Sequence, residues 1–272
     1  MKITACSFGC SSDARRGAIP GRCWLATLVA IAGLPLAAAA QQLPPPAEEG
    51  ATGAWAVQLT PYVWASGIGG DLRAFSGAGV VSMDKSFSEV MKDLDAAFFL
   101  TGYARKDRLV LLGDISYSSS SRSGKLPLGL PASGSFRQAS ATLAAGYRAV
   151  SNADINLDLL AGLRAWSVKA SVDVAGGLVQ TSPEKRFVDP VIGLRAHIPL
   201  APRWSAIAYG DVGGFGLGSR ATHQVAATVN YQWSEQAFVS LGYRVLTLDY
   251  RRGGTRIDVT MAGPLLGATW RF

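Results

Sequence analysis

From Trp55 to the C-terminus, apolar and polar residues alternate in short runs, and this alternation is the strongest constraint on the fold. In one run, Leu159 and Leu163 have one parity, whereas Asp158 and Arg164 have the other. Successive side chains of a β-strand point to opposite faces, so each run has one apolar face and one polar face. Strands cross a membrane only as a closed barrel, because every backbone N–H and C=O must be hydrogen-bonded there. The alternation therefore predicts an all-β, antiparallel transmembrane β-barrel with its apolar face towards lipid.

Ten such runs are present, at 55–66, 95–105, 109–119, 136–149, 154–170, 187–200, 204–217, 222–233, 237–250 and 256–272. Four connections between them are short, at 106–108, 151–154, 201–203 and 234–236. Three of the intervening connections are long, at 67–94, 120–135 and 171–186, and the last two, around Gly218 and Gly253, are short. Outer-membrane barrels have an even number of strands, short periplasmic turns and longer outer loops. We therefore predict an up-and-down barrel of about ten strands with both termini in the periplasm.

The first forty residues have the features of a secretory signal peptide. Three arginines between residues 15 and 22 precede the apolar run 24–36, and four alanines precede Gln41. That run is shorter than the roughly 20 residues that a membrane-spanning helix needs. We predict a signal peptide at 1–40, a proline-rich periplasmic linker at 41–53 and the barrel at 54–272.

Composition excludes two other classes of protein. All three cysteines lie in the predicted signal peptide, so the exported chain has no disulfide framework. Without that peptide the formal net charge falls from +7 to +4, because 22 basic and 18 acidic residues remain. A charge this small and this evenly spread gives no reason to expect a nucleic-acid partner. The expected environment of the barrel is outer-membrane lipid.

The polar faces of the predicted strands contain eight charged residues. An arginine that faces lipid at the midplane costs about 2–4 kcal/mol, and an unpaired charge in a narrow lumen is also costly. Opposite charges that pair inside the barrel avoid both costs. We therefore predict a luminal ion-pair network of Asp114, Arg148, Asp158, Arg164, Asp189, Arg195, Asp211 and Arg244.

The chain ends in the sequence GATWRF, in which Trp270 and Phe272 share the lipid-facing parity. A terminal aromatic residue after alternating apolar residues is typical of the strand by which bacterial outer-membrane barrels are recognised for insertion. We predict that Trp270 and Phe272 lie at the membrane interface. We also expect the C-terminal strand to engage the barrel-assembly machinery.

Five blocks of the sequence resemble the recurring blocks of a group of small Gram-negative outer-membrane β-barrel proteins that end in phenylalanine. They are TPYVWASGIGGDL at 60–72, FVDPVIGLR at 187–195, YGDVGGFGLGS at 209–219, GYRVLTLDY at 242–250 and GPLLGATWRF at 263–272. The resemblance covers nearly all of the predicted barrel and implies its fold and its location in the outer membrane. Most members of the group have no established activity, so the resemblance implies no catalytic residue.

Catalytic chemistry has few candidate residues. The omptin proteases, which also have ten strands, use paired acidic residues and an Asp–His pair at the outer rim to activate water. Only His197 and His223 are present; we place His197 too far from that rim and His223 on the lipid face, with no spacing that pairs it to Asp249. The sequence also lacks the ligand spacing of a metal site and the motifs of a nucleotide or serine-hydrolase site, so we expect no cofactor.

Three functional hypotheses follow. The first is a structural or interaction barrel whose lumen is filled by its own side chains, because bulky residues such as Trp166, Tyr209 and Phe215 are predicted to point inward. The alternative is a narrow channel for ions or small solutes, lined by the same charges. The third is an outer-membrane hydrolase of omptin type. Within the first long connection, 86–95 has the apolar spacing of a short helix that either fills the loop or covers the barrel mouth.

Overall fold

A computed structural model describes residues 53–73, 81–125, 131–174, 179–181 and 184–272. The predicted signal peptide and all but the last residue of the predicted linker lie outside the described residues. The strands are β1 (Ala56–Trp64), β2 (Gly67–Arg73), β3 (Val81–Lys85), β4 (Leu94–Lys106), β5 (Leu109–Lys125), β6 (Pro131–Ser151), β7 (Asn156–Val174), β8 (Val179–Thr181), β9 (Glu184–Ala201), β10 (Trp204–Gly213), β11 (Ala221–Gln232), β12 (Ala237–Arg252) and β13 (Thr255–Arg271), and the helix α1 is Phe87–Asp93. No helix in the described part is long and apolar enough to cross a membrane.

Ten of the strands form a closed antiparallel barrel, which confirms the predicted fold class. Their order around the barrel is β1, β4, β5, β6, β7, β9, β10, β11, β12 and β13, and β13 pairs again with β1. The closing register places Gln58 opposite Arg271 and Trp64 opposite Leu265. Closure leaves no unpaired edge in this part of the sheet, as the membrane interior requires.

Both ends of the barrel chain lie at the rim that carries the short turns. Ala56 at the start of β1 pairs with Arg105, next to the β4–β5 turn, and Arg271 at the end of β13 pairs with Gln58. Two of these turns contain a non-glycine residue with positive φ, Asp107 at 52° and Arg203 at 70°. We call this rim the short-turn end and the opposite rim the long-loop end.

The first long connection, 67–94, is more ordered than the sequence predicted. β2 continues the path of β1 along β13, with Ala262 opposite Gly67, and β3 folds back on β2. The helix predicted over 86–95 is present as α1, with Ser86 as its N-cap. Hydrogen bonds from the Ser86 hydroxyl and backbone N–H hold the pKa of Glu89 below its ordinary value. Lys85 and Asp93 then form an ion pair of 2.8 Å that connects β3 with the end of the helix.

The other two long connections are largely extensions of the barrel strands. β5 and β6 remain paired from Leu109↔Tyr147 up to Lys125↔Pro131, far beyond the predicted strand end at residue 119. β7 and β9 are paired up to Lys169↔Glu184, and β8 adds a short pairing to β7. The barrel wall is therefore much taller on this side than the sequence indicated.

The outward and inward faces exchange character part-way up the wall. In β7, Leu159 and Leu163 face outward and Arg164 inward, but above them Trp166 faces inward and Lys169 outward. β12 changes in the same way, with Leu241 outward below and Leu248 inward above. An apolar outer face suits lipid, and a polar outer face around an apolar interior suits water. The exchange divides the barrel into a lower part with a lipid-type exterior and an upper part built like a soluble β-barrel.

Candidate functional site

The lumen of the upper part is filled by an apolar cluster. Its members come from five strands around the barrel: Trp64, Phe99, Trp166, Val168, Leu246, Leu248, Tyr250, Ile257, Val259, Met261 and Leu265. Phe187 stacks on Tyr250 with ring centroids 4.5 Å apart, and Tyr62 stacks on Phe99 at 5.3 Å. We call this group the apolar plug. Its rings occupy the barrel axis above the charged residues.

Directly below the plug, Arg164 on β7 forms a two-pronged ion pair with Asp211 on β10. The Nη1–Oδ1 distance is 3.0 Å and the Nη2–Oδ2 distance is 2.6 Å. Both side chains are 1% exposed, so the pair is shielded from water. The Nε–H of Arg164 donates to the Thr142 hydroxyl at 2.8 Å. A buried guanidinium is tolerated when its donors are satisfied in this way.

A second buried pair lies on the opposite wall. Arg244 on β12 contacts Asp114 on β5, with 2.9 Å between Nη2 and Oδ1. Asp114 also accepts hydrogen bonds from the hydroxyls of Tyr62 at 3.0 Å and Thr101 at 2.7 Å. Arg244 donates to the Tyr62 hydroxyl, and its guanidinium lies 4.8 Å from the ring of Trp64 at the base of the apolar plug.

Gln224 connects the two pairs into one layer. Its Oε1 accepts from Arg244 Nη2 at 2.8 Å and from Arg164 Nη2 at 3.4 Å. The register explains its position, because Gln224 on β11 is the partner of Asp211 on β10. A cavity of about 150 Å³ lies beside this layer and is lined by residues of both pairs.

A third buried group lies closer to the short-turn end. Asp158, which is fully buried, accepts from Arg148 Nε at 2.8 Å, from Arg195 Nη1 at 3.4 Å and from the Tyr103 hydroxyl at 2.9 Å. Arg148 also donates to the Tyr103 hydroxyl at 2.7 Å. The guanidinium of Arg195 lies 4.2 Å from the centroid of the Tyr103 ring. One carboxylate is thus shared between two arginines.

Asp189 does not join these ion pairs. It is fully buried, but its carboxylate accepts the backbone N–H of Ser219 at 2.5 Å and the Ser219 hydroxyl at 2.8 Å. Its register partner on β7 is Arg164, whose guanidinium reaches past it to Asp211. Asp189 therefore holds the β10–β11 loop against the wall. Phe215, predicted to point inward, lies in that loop, is 57% exposed and has a φ of 47°, because β10 ends at Gly213.

Seven of the eight charged residues in the predicted network are thus brought together in ion pairs, and all eight are buried. The sequence could not identify the uncharged partners of these charges, among them the Tyr62 and Tyr103 hydroxyls and the Gln224 amide. Their inward parity was visible in the alternation, but their partners depend on register and side-chain direction.

A larger cavity, of about 660 Å³, occupies the lumen at the short-turn end. Arg148 and Arg195 form its upper boundary, and Arg105 and Arg271 lie lower in its wall. Asparagine and serine side chains from several strands complete the lining, together with His197.

The two histidines lie apart in the fold. His197 faces the larger cavity in the lower half of β9, whereas His223 is exposed on the outer face of β11. Within the part of the chain that the structure describes, neither imidazole is hydrogen-bonded to a carboxylate, and no group of three or more His, Cys, Asp and Glu side chains has metal-binding geometry.

Trp270 and Phe272 lie at the outer surface of the short-turn end and are 48% and 69% exposed. Trp270 pairs with Leu59 and Ala237 in the sheet, and the Phe272 N–H donates to the carbonyl of Val57 at 2.9 Å. Other exposed aromatic residues lie at the same end of the outer wall: Trp55, Tyr147, Trp204 and Trp233.

No family model matches the chain, and no curated protein matches it. Among solved structures, the outer-membrane protease OmpT from Escherichia coli is similar, with a TM-score of 0.52 and 12% identity over 80% of this chain and 96% of OmpT. The attachment invasion locus protein Ail of Yersinia pestis has a TM-score of 0.38 and 14% identity over 80% of this chain and 98% of Ail. The translocator domain of the autotransporter NalP from Neisseria meningitidis has a TM-score of 0.39 and 10% identity, over 82% and 90%. The likeness to OmpT shows that the chain has the fold of an outer-membrane β-barrel.

Proposed function

We propose that this protein resides in the bacterial outer membrane, with the short-turn end in the periplasm and the long-loop end outside the cell. The exchange of faces supports this proposal. The outer wall of β7 is apolar from Leu157 to Ala165. That distance is about 27 Å of strand, or about 21 Å of height at a tilt of about 40°. The exposed aromatic rings at the short-turn end extend it towards the apolar band of about 25 Å typical of such barrels.

We further propose that the barrel has a structural or interaction role and does not conduct. The observation that carries this proposal is the blocked lumen: the apolar plug and the buried ion-pair layer lie one above the other on the barrel axis. A conducting path would have to pass the stacked rings of Phe187 and Tyr250 and then the Arg164–Asp211 pair. The outer surface of the upper part would then be the surface available to partners.

Single-channel recording in planar bilayers tests the closed lumen against the narrow-channel alternative. We expect no steady conductance steps from the purified protein. Folding of the barrel is checked independently by the shift in electrophoretic mobility between heated and unheated samples. The triple variant Trp166→Ala, Arg164→Ala, Asp211→Ala removes side chains from both layers and serves as the open control. Steady, ion-selective steps from the unaltered protein would overturn the proposal.

Two further proposals concern the N-terminus and the C-terminus of the chain. We propose cleavage of the signal peptide after Ala40, so the N-terminus of the purified protein should be Gln41 by mass spectrometry of an N-terminal peptide.

We also propose that Phe272 takes part in recognition by the barrel-assembly machinery. Phe272→Ser should lower the amount of heat-modifiable barrel in the outer-membrane fraction, and full assembly of that variant would contradict this role.

We propose no protease activity of the kind that the name of OmpT states for that protein. It would require an Asp–His pair at the outer rim, and in the described residues His223 faces outward while His197 lies in the lower lumen.

A further inference from the structure

The larger cavity at the short-turn end has a strongly one-sided charge. Four arginines line it, Arg105, Arg148, Arg195 and Arg271, and no Asp or Glu is among the described residues in its lining. Two of the four, Arg148 and Arg195, share the carboxylate of Asp158. At the top of the cavity, one negative charge is therefore shared by two guanidinium groups. Arg271 adds another positive charge lower down.

Arg195 and Arg148 differ in the number of hydrogen bonds that their guanidinium groups donate. Arg148 donates to Asp158 from two nitrogens, at 2.8 Å and 3.3 Å, and also to Asn156 and Tyr103. Arg195 makes one long hydrogen bond to Asp158, at 3.4 Å, and otherwise rests on the face of the Tyr103 ring. Its guanidinium borders both luminal cavities. An arginine has five N–H donors, so Arg195 retains donors for a group inside the cavity.

Arg271 is held in a similar manner at the lower rim. Its guanidinium lies 4.8 Å from the centroid of the Phe238 ring, and the same ring lines the cavity. An aromatic face orients a guanidinium without neutralising it. Arg195 and Arg271 are therefore two positioned positive charges that line the same cavity.

We propose that this cavity binds a small solute that carries phosphoryl or carboxylate groups. Guanidinium groups bind these oxyanions through paired N–H donors, and the interaction is stronger in a lumen than in bulk water. The amides of Asn152, Asn156 and Asn230 provide further hydrogen-bonding groups in the lining. The volume of about 660 Å³ lies within the range of small-molecule sites. With the proposed orientation the solute comes from the periplasm, but the binding itself does not depend on that orientation or on a closed lumen.

Isothermal titration calorimetry of the purified protein in a non-ionic detergent tests this inference, with inorganic phosphate and citrate as probes. We expect saturable binding of at least one probe, and the probe that binds more tightly identifies the phosphoryl or the carboxylate class. Arg271→Gln should reduce the affinity about tenfold or more, because a hydrogen bond to a charged group is lost. That change lies at the rim and leaves the backbone pairing of β13 with β1 intact.

Arg251→Gln is the matched control, because Arg251 lies on the outer wall at the long-loop end. It should bind the probe as the unaltered protein does. Binding should also weaken as sodium chloride is raised, since part of the attraction is electrostatic. The inference is wrong if neither anion binds saturably. Equal affinities for Arg271→Gln and Arg251→Gln would overturn it as well.

Discussion

The Arg164–Asp211 pair should be the most sensitive point of the luminal layer. Asp211→Asn keeps the size of the side chain but removes the negative charge that faces the Arg164 guanidinium. Arg164 is 1% exposed, and apart from Asp211 its contacts include the Thr142 hydroxyl, the Gln224 amide and the indole of Trp166, none of which carries a charge. The variant therefore leaves a buried arginine without its counter-charge.

Removing one partner of a buried ion pair costs about 3–5 kcal/mol, because the remaining charge is neither hydrated nor compensated. The two bonds of 3.0 Å and 2.6 Å and the near-complete burial of both partners place this pair in that class. We expect a loss of about 3–5 kcal/mol in the free energy of unfolding. Urea titration of the refolded barrel, followed by tryptophan fluorescence, measures it from the midpoint and the slope.

Asp258→Asn is the matched control, since Asp258 also pairs with an arginine, Arg256 at 3.1 Å, but both are 39% exposed on the outer wall. An exposed pair contributes about 0–1 kcal/mol. The double variant Arg164→Met, Asp211→Leu replaces the buried pair by apolar side chains and should be more stable than Asp211→Asn alone. If Asp211→Asn is no more destabilised than Asp258→Asn, the reasoning is refuted.

Three further predictions concern other parts of the wall. Gly242→Ala should abolish most folding, because its Cβ would lie 2.0 Å from the Ala227 carbonyl oxygen. Gly113→Ala should fold normally, because its Cβ would lie 4.0 Å from the Thr142 carbonyl oxygen, and the heat-modifiable electrophoretic mobility compares the two variants. Leu143→Arg, at an outward position that is 70% exposed, should cost about 2–4 kcal/mol in lipid vesicles, and a neutral effect would show that this face does not meet hydrocarbon. Asp189→Ala should make the β10–β11 loop more sensitive to limited proteolysis without opening the barrel, and unchanged cleavage would mean that its bonds to Ser219 do not hold the loop.

The sequence predicted the lower part of the barrel well, for a simple physical reason. A strand has only two faces, so parity alone separates the lipid-facing Leu159 and Leu163 from the luminal Asp158 and Arg164. Pairing inside the lumen is different, because it depends on which strands are neighbours and how far a long side chain extends. Arg164 stands opposite Asp189 in the register yet binds Asp211 one strand further on. No spacing in the sequence indicates that Arg164 binds Asp211 and not Asp189.

The upper part of the barrel was predicted poorly because its strands have their polar residues on the outer face and their apolar residues on the inner face. The serines after residue 119 and the charges after residue 170 suggested loops, since a lipid-facing strand should remain apolar on its outer face. In the structure these segments are strands whose outer faces are polar because they have left the apolar band, and Trp166 and Val168 face inward. A polar outer face was thus mistaken for the end of the strand.

The same exchange of faces explains why the charged layer lies where it does. Within the apolar band the outer face of each strand must be apolar. If the inner face were apolar as well, the strand would be an uninterrupted apolar run in the sequence. Such a segment approaches the composition of a membrane-spanning helix, which export machinery retains in the inner membrane. Charges such as Asp158 and Arg164 in β7 interrupt that segment, and pairing inside the barrel removes most of their cost. Above the band the outer face is polar already, and the lumen can be filled by apolar rings.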